Sequence, residues 1–141
     1  MILYLDTSAL VKLYVEENGS AEVRTAAKSA DVLATHLLAF VELNGGISRM
    51  ERKRRLSAAQ ASRVKRKFAA NWPSYLRIGL DQPLMDRAVH MARAFGLRAY
   101  DSVHLASADH LLKHAEGPVA FACFDRKLNQ AAEVLGLALI A

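Results

Sequence analysis

Short apolar runs alternate along the chain with longer segments in which apolar residues recur with helical spacing. The short runs, such as VAFACF at 119–124, are typical of buried parallel strands, and the longer segments are typical of amphipathic helices. The short runs predict strands at 2–5, 32–35, 75–80, 119–124 and 137–140. The longer segments predict helices at 7–16, 20–30, 37–53, 57–72, 83–95, 99–115 and 126–135.

Strands and helices alternate over the whole length, which favours parallel pairing because parallel strands need a crossover, usually a helix. We therefore expect an α/β fold, a three-layer α/β/α sandwich with a central, mostly parallel sheet. The chain has 141 residues and no internal repeat or linker, so we expect a single domain over 1–141. The polar residues available as helix caps are Thr7 or Ser8, Ser20 and Ser57.

The composition is that of a globular protein without a disulfide framework. Hydrophobic residues make up 52% of the chain, which is enough for a sizeable core. The one cysteine, Cys123, lies in an apolar run and is expected to be buried. The opening MILYL is too short for a signal peptide, and no apolar run approaches the roughly 20 residues of a membrane span. We therefore expect a cytoplasmic protein without a membrane segment.

Positive charge is concentrated in the middle of the chain. Nine of the 19 Lys and Arg residues lie at 49–67, where Glu51 is the only acid. Such a patch favours nucleic acid as a partner, because each phosphate contact releases counterions. The alternative is a solvated helical face that keeps the protein soluble. The candidates for phosphate contacts are Arg49, Arg52, Lys53, Arg54 and Arg55.

Four of the 14 acidic residues have unusual neighbours. Asp6 and Asp125 directly follow predicted strands, and the carboxyl ends of parallel strands are where α/β proteins bind ligands. Asp101 begins a predicted helix, and Glu42 is an isolated acid in an apolar helix, where it must face solvent or a polar cluster. Together these acids suffice for a hard cation such as Mg²⁺ or Mn²⁺. Taken singly, the three aspartates could instead cap helices, and Glu42 could lie on a solvated surface.

Four segments resemble, in order and spacing, the PIN-domain family, and more narrowly the VapC-type toxins of type II toxin–antitoxin systems. They are ILYLDTSALVKLYVEE, FVELNGGI, LRAYDSVHLASA and FDRKLNQAAEVLGL. The Asp-Thr-Ser triplet in the first segment is weak alone, and the third segment is the most specific. Together the four segments cover essentially the whole chain.

The resemblance implies a Mg²⁺-dependent ribonuclease that hydrolyses RNA phosphodiester bonds, with Mn²⁺ as an alternative ion. By the family's motifs, Asp6, Glu42, Asp101 and Asp125 are the expected catalytic and metal-binding acids, and Ser8 is the hydroxyl beside the first acid. Family behaviour implies products with 5′-phosphate and 3′-hydroxyl ends. The expected partners are an RNA substrate, a cognate antitoxin protein and a second copy of the chain in a homodimer.

Two other functions fit parts of the sequence. A non-catalytic RNA- or protein-binding module could retain the fold, and neutralising an acid would then leave its effect intact. A phosphatase or receiver-like domain could use Asp6 as a phosphate acceptor, but Ser8 stands where that class needs a second acid. His104 lies one turn after Asp101, where local packing or hydrogen bonding is favoured over contact with substrate.

Overall fold

The computed structural model describes residues 1–140 and has one sheet of five parallel strands at its centre. The strands are β1 (Ile2–Leu5), β2 (Val32–His36), β3 (Leu76–Ile78), β4 (Val119–Ala122) and β5 (Ala138–Leu139). Their order across the sheet is β3-β2-β1-β4-β5, so β1 pairs with both β2 and β4. The predicted parallel sheet is confirmed, although β3 and β4 are shorter than the predicted runs 75–80 and 119–124.

Helices connect the strands and cover the two faces of the sheet. They are α1 (Thr7–Lys12), α2 (Ser20–Ser29), α3 (Ala39–Arg52), α4 (Ala58–Asn71), α5 (Gln82–Phe95), α6 (Ala99–His114) and α7 (Arg126–Val134). A short 3₁₀ turn at Trp72–Ser74 leads from α4 into β3. Within the described residues, no helix has both the length and the apolar character that crossing a membrane requires.

Two buried clusters lie on opposite faces of the sheet. Successive side chains of a strand point to opposite faces. On one face, Tyr4 and Phe121 pack with the buried side chains of α5, α6 and α7. On the other face, Leu3 and Leu5 pack with α1, α2, α3 and α4. The predicted three-layer sandwich is therefore confirmed, and Cys123 is buried in the first cluster as expected.

The first helix ends at Lys12, so the predicted extension to residue 16 is wrong. After Lys12 the chain makes a tighter turn, in which the Tyr14 N–H donates to the Val11 carbonyl three residues earlier at 2.9 Å. The Tyr14 ring then packs edge-on against Phe68 of α4, and its hydroxyl lies 2.6 Å from that of Tyr75. These contacts between distant segments override the local helical pattern, which contains no sign of them.

The helix caps differ from prediction in two of three cases. Asp6, rather than Thr7 or Ser8, caps α1. Gly19, in a left-handed conformation with φ of 92°, precedes α2, so Ser20 is not the cap. Ser57 caps α4 as predicted, and Gln60 completes a reciprocal capping box with it.

Candidate active site

The fold brings four acidic side chains to one edge of the sheet. Asp6 directly follows β1, and Asp125 follows β4 after two further residues. These strand ends adjoin, because the Asp6 N–H donates to the carbonyl of Ala122 at 3.1 Å. Helices α3 and α6 supply Glu42 and Asp101. All four carboxylates border one cavity of about 380 Å³.

Asp6 is the buried member of this group, with 5% of its surface exposed. Its Oδ1 accepts hydrogen bonds from the Ala9 N–H at 2.9 Å and from the Ser8 hydroxyl at 2.8 Å. Burial raises the pKa of Asp6, although nearby His104 and these two hydrogen bonds act in the opposite direction. A carboxylate that burial penalises in this way is stabilised by a neighbouring cation.

Asp101 and Asp125 border the same cavity from more open positions. Asp125 is exposed, and its Oδ1 caps α7 by accepting from the Leu128 N–H at 2.8 Å. Asp101 lies in the first turn of α6, but it makes no cap hydrogen bond there. Its Oδ2 accepts from Nε of Arg98 at 3.3 Å, and the Arg98 side chain is 85% exposed. Such an exposed pair holds Asp101 only weakly.

Glu42 faces a polar cluster, one of the two settings predicted for it. The Thr7 hydroxyl donates to Glu42 Oε1 at 2.7 Å, and Nε2 of His104 lies 3.1 Å from the same oxygen. Burial alone would raise the pKa of Glu42, but these two partners outweigh it and lower the pKa. The start of α3 is fixed by His36, whose Nδ1 accepts from the Leu38 N–H at 3.0 Å. Glu42 is thus held ionised at the mouth of the cavity.

A search against protein-family models matches residues 3–134 to the PIN domain. This match spans most of the chain and includes all four acids. The chain belongs to the PIN-domain family.

Among curated proteins, this PIN-domain chain is similar to Ribonuclease VapC45 of Mycobacterium tuberculosis, with 30% identity over 96% of this chain and 92% of that protein. It is 31% identical to Ribonuclease VapC47 of the same species, over 96% of this chain and 93% of that protein. The resemblance to VapC-type proteins inferred from the four sequence segments is confirmed.

Among solved structures, the PIN domain is similar to FitAcB from Neisseria gonorrhoeae, with a TM-score of 0.69 and 17% identity over 99% of this chain and 96% of that one. It is also similar to VapBC2 from Rickettsia felis bound to a promoter DNA fragment, with a TM-score of 0.66 and 12% identity over 99% and 97% of the two chains. At these identities the likeness shows the fold alone.

The carboxylates of the PIN domain suit a hard cation in donor type. Each keeps one oxygen that accepts no hydrogen bond from an N–H or O–H group among residues 1–140: Asp6 Oδ2, Glu42 Oε2, Asp101 Oδ1 and Asp125 Oδ2. Within the same residues, no group of three or more Asp, Glu, His or Cys side chains is arranged so that it could hold a metal ion. Mg²⁺ usually keeps several waters and is bound through one or two carboxylates, so the donor type of these side chains fits it.

The five basic residues predicted to contact phosphates, at 49–55, fall into two groups by position. Arg49, Lys53 and Arg55 line a second cavity, of about 460 Å³, which also touches Thr7, Ser8 and Glu42. The other two predicted cations of this segment, Arg52 and Arg54, line neither this cavity nor the acidic one. The structure therefore brings three of the five predicted phosphate contacts next to the acidic site, a division that the charge pattern could not reveal.

Sequence reasoning overlooked part of the site. The sequence does not single out Tyr4 or Arg98, and for His104 it favours local packing or hydrogen bonding over contact with substrate. His104 lies three residues after Asp101 and therefore on the same face of α6. Tyr4 lies two residues before Asp6 in extended backbone, so the two side chains point to the same side. These two spacings are the sequence features that could have placed His104 and Tyr4 near the acids. For Asp6 and Asp125 the capping alternative is correct as a local role, but it does not account for their convergence with Glu42.

Proposed function

We propose that this PIN-domain protein is a Mg²⁺-dependent endoribonuclease that acts in the cytoplasm as the toxin of a toxin–antitoxin pair. The observation that carries the proposal is the convergence of four carboxylates, each with a free oxygen, on one cavity at the edge of the sheet. The relatives named as ribonucleases support the reaction, and the resemblance to VapC-type toxins supports the biological role.

In this proposal, Asp6, Asp101 and Asp125 hold the ion, and Glu42 holds it directly or through a water. Mg²⁺, when bound, lowers the pKa of a water and offsets the charge that develops on the phosphate oxygens. Ser8 keeps Asp6 in place through its 2.8 Å hydrogen bond. Hydrolysis adds the oxygen of water to phosphorus, breaks the bond to the 3′ oxygen and transfers a proton to that oxygen. The products carry 5′-phosphate and 3′-hydroxyl ends.

The RNA backbone would cross from the acidic cavity into the basic one. The two cavities share Thr7, Ser8 and Glu42 as lining residues, so they are continuous along that wall. Arg49 and Lys53 in the second cavity then meet the phosphates that flank the cleaved bond. Lys and Arg contacts of this kind hold RNA without reading its sequence.

The proposed protein partners are an antitoxin and a second copy of the chain. Exposed apolar side chains near β3 support the homodimer. Leu37 is 45% exposed, Val41 of α3 is 68% exposed, and Leu80, two residues after β3, is 48% exposed. The Leu37 N–H donates to the carbonyl of Ile78 in β3, which places the start of α3 beside that edge strand. Sedimentation at micromolar concentration tests this, and a monomeric mass would refute the homodimer.

Expression in a bacterial host tests the toxin proposal. The wild-type chain should arrest growth, and an Asp101→Asn chain that accumulates to the same level should not. Co-expression of the antitoxin encoded beside the gene should restore growth. Growth arrest by a folded Asp101→Asn protein would instead favour the non-catalytic binding module.

A further inference from the structure

A buried hydrogen-bond network joins four elements behind the acidic cavity. His104 of α6 is 3% exposed, and Tyr4 of β1 is fully buried. The Tyr4 hydroxyl lies 2.7 Å from Nδ1 of His104. The opposite ring nitrogen, Nε2, lies 3.1 Å from Glu42 Oε1 and 3.2 Å from the Thr7 hydroxyl. The imidazole therefore links the core of the sheet to a carboxylate at the cavity.

The directions of these hydrogen bonds follow from the available donors. The Thr7 hydroxyl gives its one hydrogen to Glu42 Oε1 at 2.7 Å. Both groups facing Nε2, the Glu42 carboxylate and the Thr7 oxygen, must then accept, so Nε2 carries a hydrogen. In the neutral ring with that hydrogen, Nδ1 is an acceptor and the Tyr4 hydroxyl is its donor. One tautomer satisfies every contact in the network.

The surrounding core keeps Tyr4 in its role as donor. Its ring stacks on Phe121, with centroids 5.8 Å apart and an interplanar angle of 10°. It also meets the His104 ring edge-on at a centroid distance of 5.8 Å. Burial raises the pKa of Tyr4 well above its usual value, so the hydroxyl retains its hydrogen. A rigid, protonated hydroxyl that donates to Nδ1 complements an imidazole whose hydrogen is on Nε2.

We propose that His104 is a positioning residue, which holds Glu42 at the cavity through an Nε2–H donor while the Tyr4 hydroxyl holds the opposite ring nitrogen. This inference rests on the proposed function for its kinetic consequences, but its structural content is independent of RNA cleavage. Groups that orient a metal-site carboxylate typically change metal affinity or activity by about 10- to 100-fold when they are removed. His104 itself touches neither the ion nor the substrate in this scheme.

Two substitutions at His104 separate the hydrogen bond from the volume of the ring. His104→Gln keeps an N–H donor near the position of Nε2, whereas His104→Leu removes the donor and keeps an apolar side chain. We expect His104→Leu to lower kcat for an RNA oligonucleotide by about 10-fold or more with KM unchanged, and to weaken Mn²⁺ affinity in calorimetry by a similar factor. His104→Gln should restore most of both losses.

A control on the same helix accounts for general destabilisation. Asp109 of α6 is also buried, but it pairs with Arg87 at 3.2 Å and Lys113 at 3.0 Å outside the acidic cavity. Asp109→Asn should lower the melting temperature without changing kcat or Mn²⁺ affinity. The positioning role is refuted if His104→Gln loses as much kcat and Mn²⁺ affinity as His104→Leu. It is also refuted if His104→Leu, like the control, lowers only the melting temperature.

Nitrogen-15 NMR of the histidine rings tests the tautomer without RNA. The wild type should show His104 as a single tautomer with its hydrogen on Nε2. Tyr4→Phe removes only a hydroxyl and keeps the stacked ring, so it remains informative even if His104→Leu fails to fold. We expect this variant to keep the hydrogen on Nε2, because Glu42 and Thr7 still accept there, but to hold the ring less firmly and to show a reduced Mn²⁺ affinity. A wild type without a hydrogen on Nε2, or an unchanged Mn²⁺ affinity in Tyr4→Phe, would overturn the inference. A wild type that cleaves no RNA, with these NMR results intact, would refute only the proposed function.

Discussion

At the scale of single residues, the four acids proposed to bind a cation differ in their surroundings. Burial raises the pKa of Asp6, whereas Thr7 and His104 hold the pKa of Glu42 below its usual value despite partial burial. Asp101 and Asp125 lie in more open positions at the same cavity. The site thus combines one carboxylate whose charged form burial disfavours, one ionised and oriented carboxylate, and two more open ones.

Asp6→Asn should stabilise the metal-free protein at neutral pH. In the unfolded chain Asp6 ionises at its ordinary pKa, and in the folded chain it ionises at a raised pKa, so stability falls as pH rises between the two values. The ionised carboxylate therefore costs stability above the raised pKa, and this cost vanishes below the ordinary value of about 3.9. Asn can still cap α1, so little else is lost.

Thermal unfolding in EDTA across this pH range measures the effect. Asp6→Asn should melt above the wild type at pH 7, and the difference should shrink as the pH falls. Asp125→Asn is the matched control, because Asp125 also caps a helix but is exposed to water. A destabilised but folded Asp6→Asn protein at pH 7 would contradict the burial argument.

At the scale of elements, α3 connects the two halves of the proposed site. It carries Glu42 in its first turn and Arg49 near its end, and Lys53 is its C-cap. The helix therefore spans from the acidic cavity into the basic one. Its bounds were predicted within two residues, and its Gly45-Gly46 pair does not interrupt it. The division of its basic residues between cavity and solvent depends on the packing of the helix.

Substitutions at the end of α3 and just after it should distinguish RNA contacts in the second cavity from a general effect of positive charge. Arg49→Gln with Lys53→Gln should weaken RNA binding and flatten its salt dependence by about 1.4 in log–log slope, since each single-strand phosphate contact contributes about 0.7. Arg52→Gln with Arg54→Gln changes the net charge equally but lies outside both cavities.

Fluorescence anisotropy with a labelled RNA at several salt concentrations provides the comparison. Catalytically impaired Asp101→Asn protein serves as the background, so that the RNA stays intact during titration. Equal losses of RNA affinity and of salt dependence in the two double variants would show that the basic residues at 49–55 act only through their overall charge.

At the scale of the whole molecule, the parallel sheet explains why residues far apart in sequence meet. Adjacent strand ends place Asp6 beside Asp125, and this could be predicted because both follow apolar runs and parallel strand ends adjoin. Glu42, an isolated acid in an apolar helix, and Asp101, at a helix start, are also candidates from the sequence, and the family resemblance groups them with the other two. The Tyr4–His104–Thr7 network could not be predicted, because it depends on how α6 packs across β1. The end of α1 was missed for the same reason, since Tyr14 is held by side chains of α4 and of the segment before β3.

Mg²⁺ should stabilise the entire fold through this site. A ligand that binds only the folded state adds about 2.7 kcal/mol at 100-fold excess over its Kd. The wild type should therefore melt at a higher temperature with Mg²⁺ than with EDTA, and Asp101→Asn should gain much less. Differential scanning calorimetry measures both shifts. Equal shifts in the two proteins would remove Asp101 from the ion site.

The central claim is that the four carboxylates form a metal-dependent ribonuclease site. Cleavage of an end-labelled RNA by purified protein tests it most directly, with wild type and a folded Asp101→Asn variant compared in Mg²⁺, in EDTA, and after Mg²⁺ is restored. We predict cleavage by the wild type that EDTA stops and Mg²⁺ restores, and no cleavage by the variant under any condition. Cleavage by the wild type that persists in EDTA, or equal cleavage by the variant, would contradict the account.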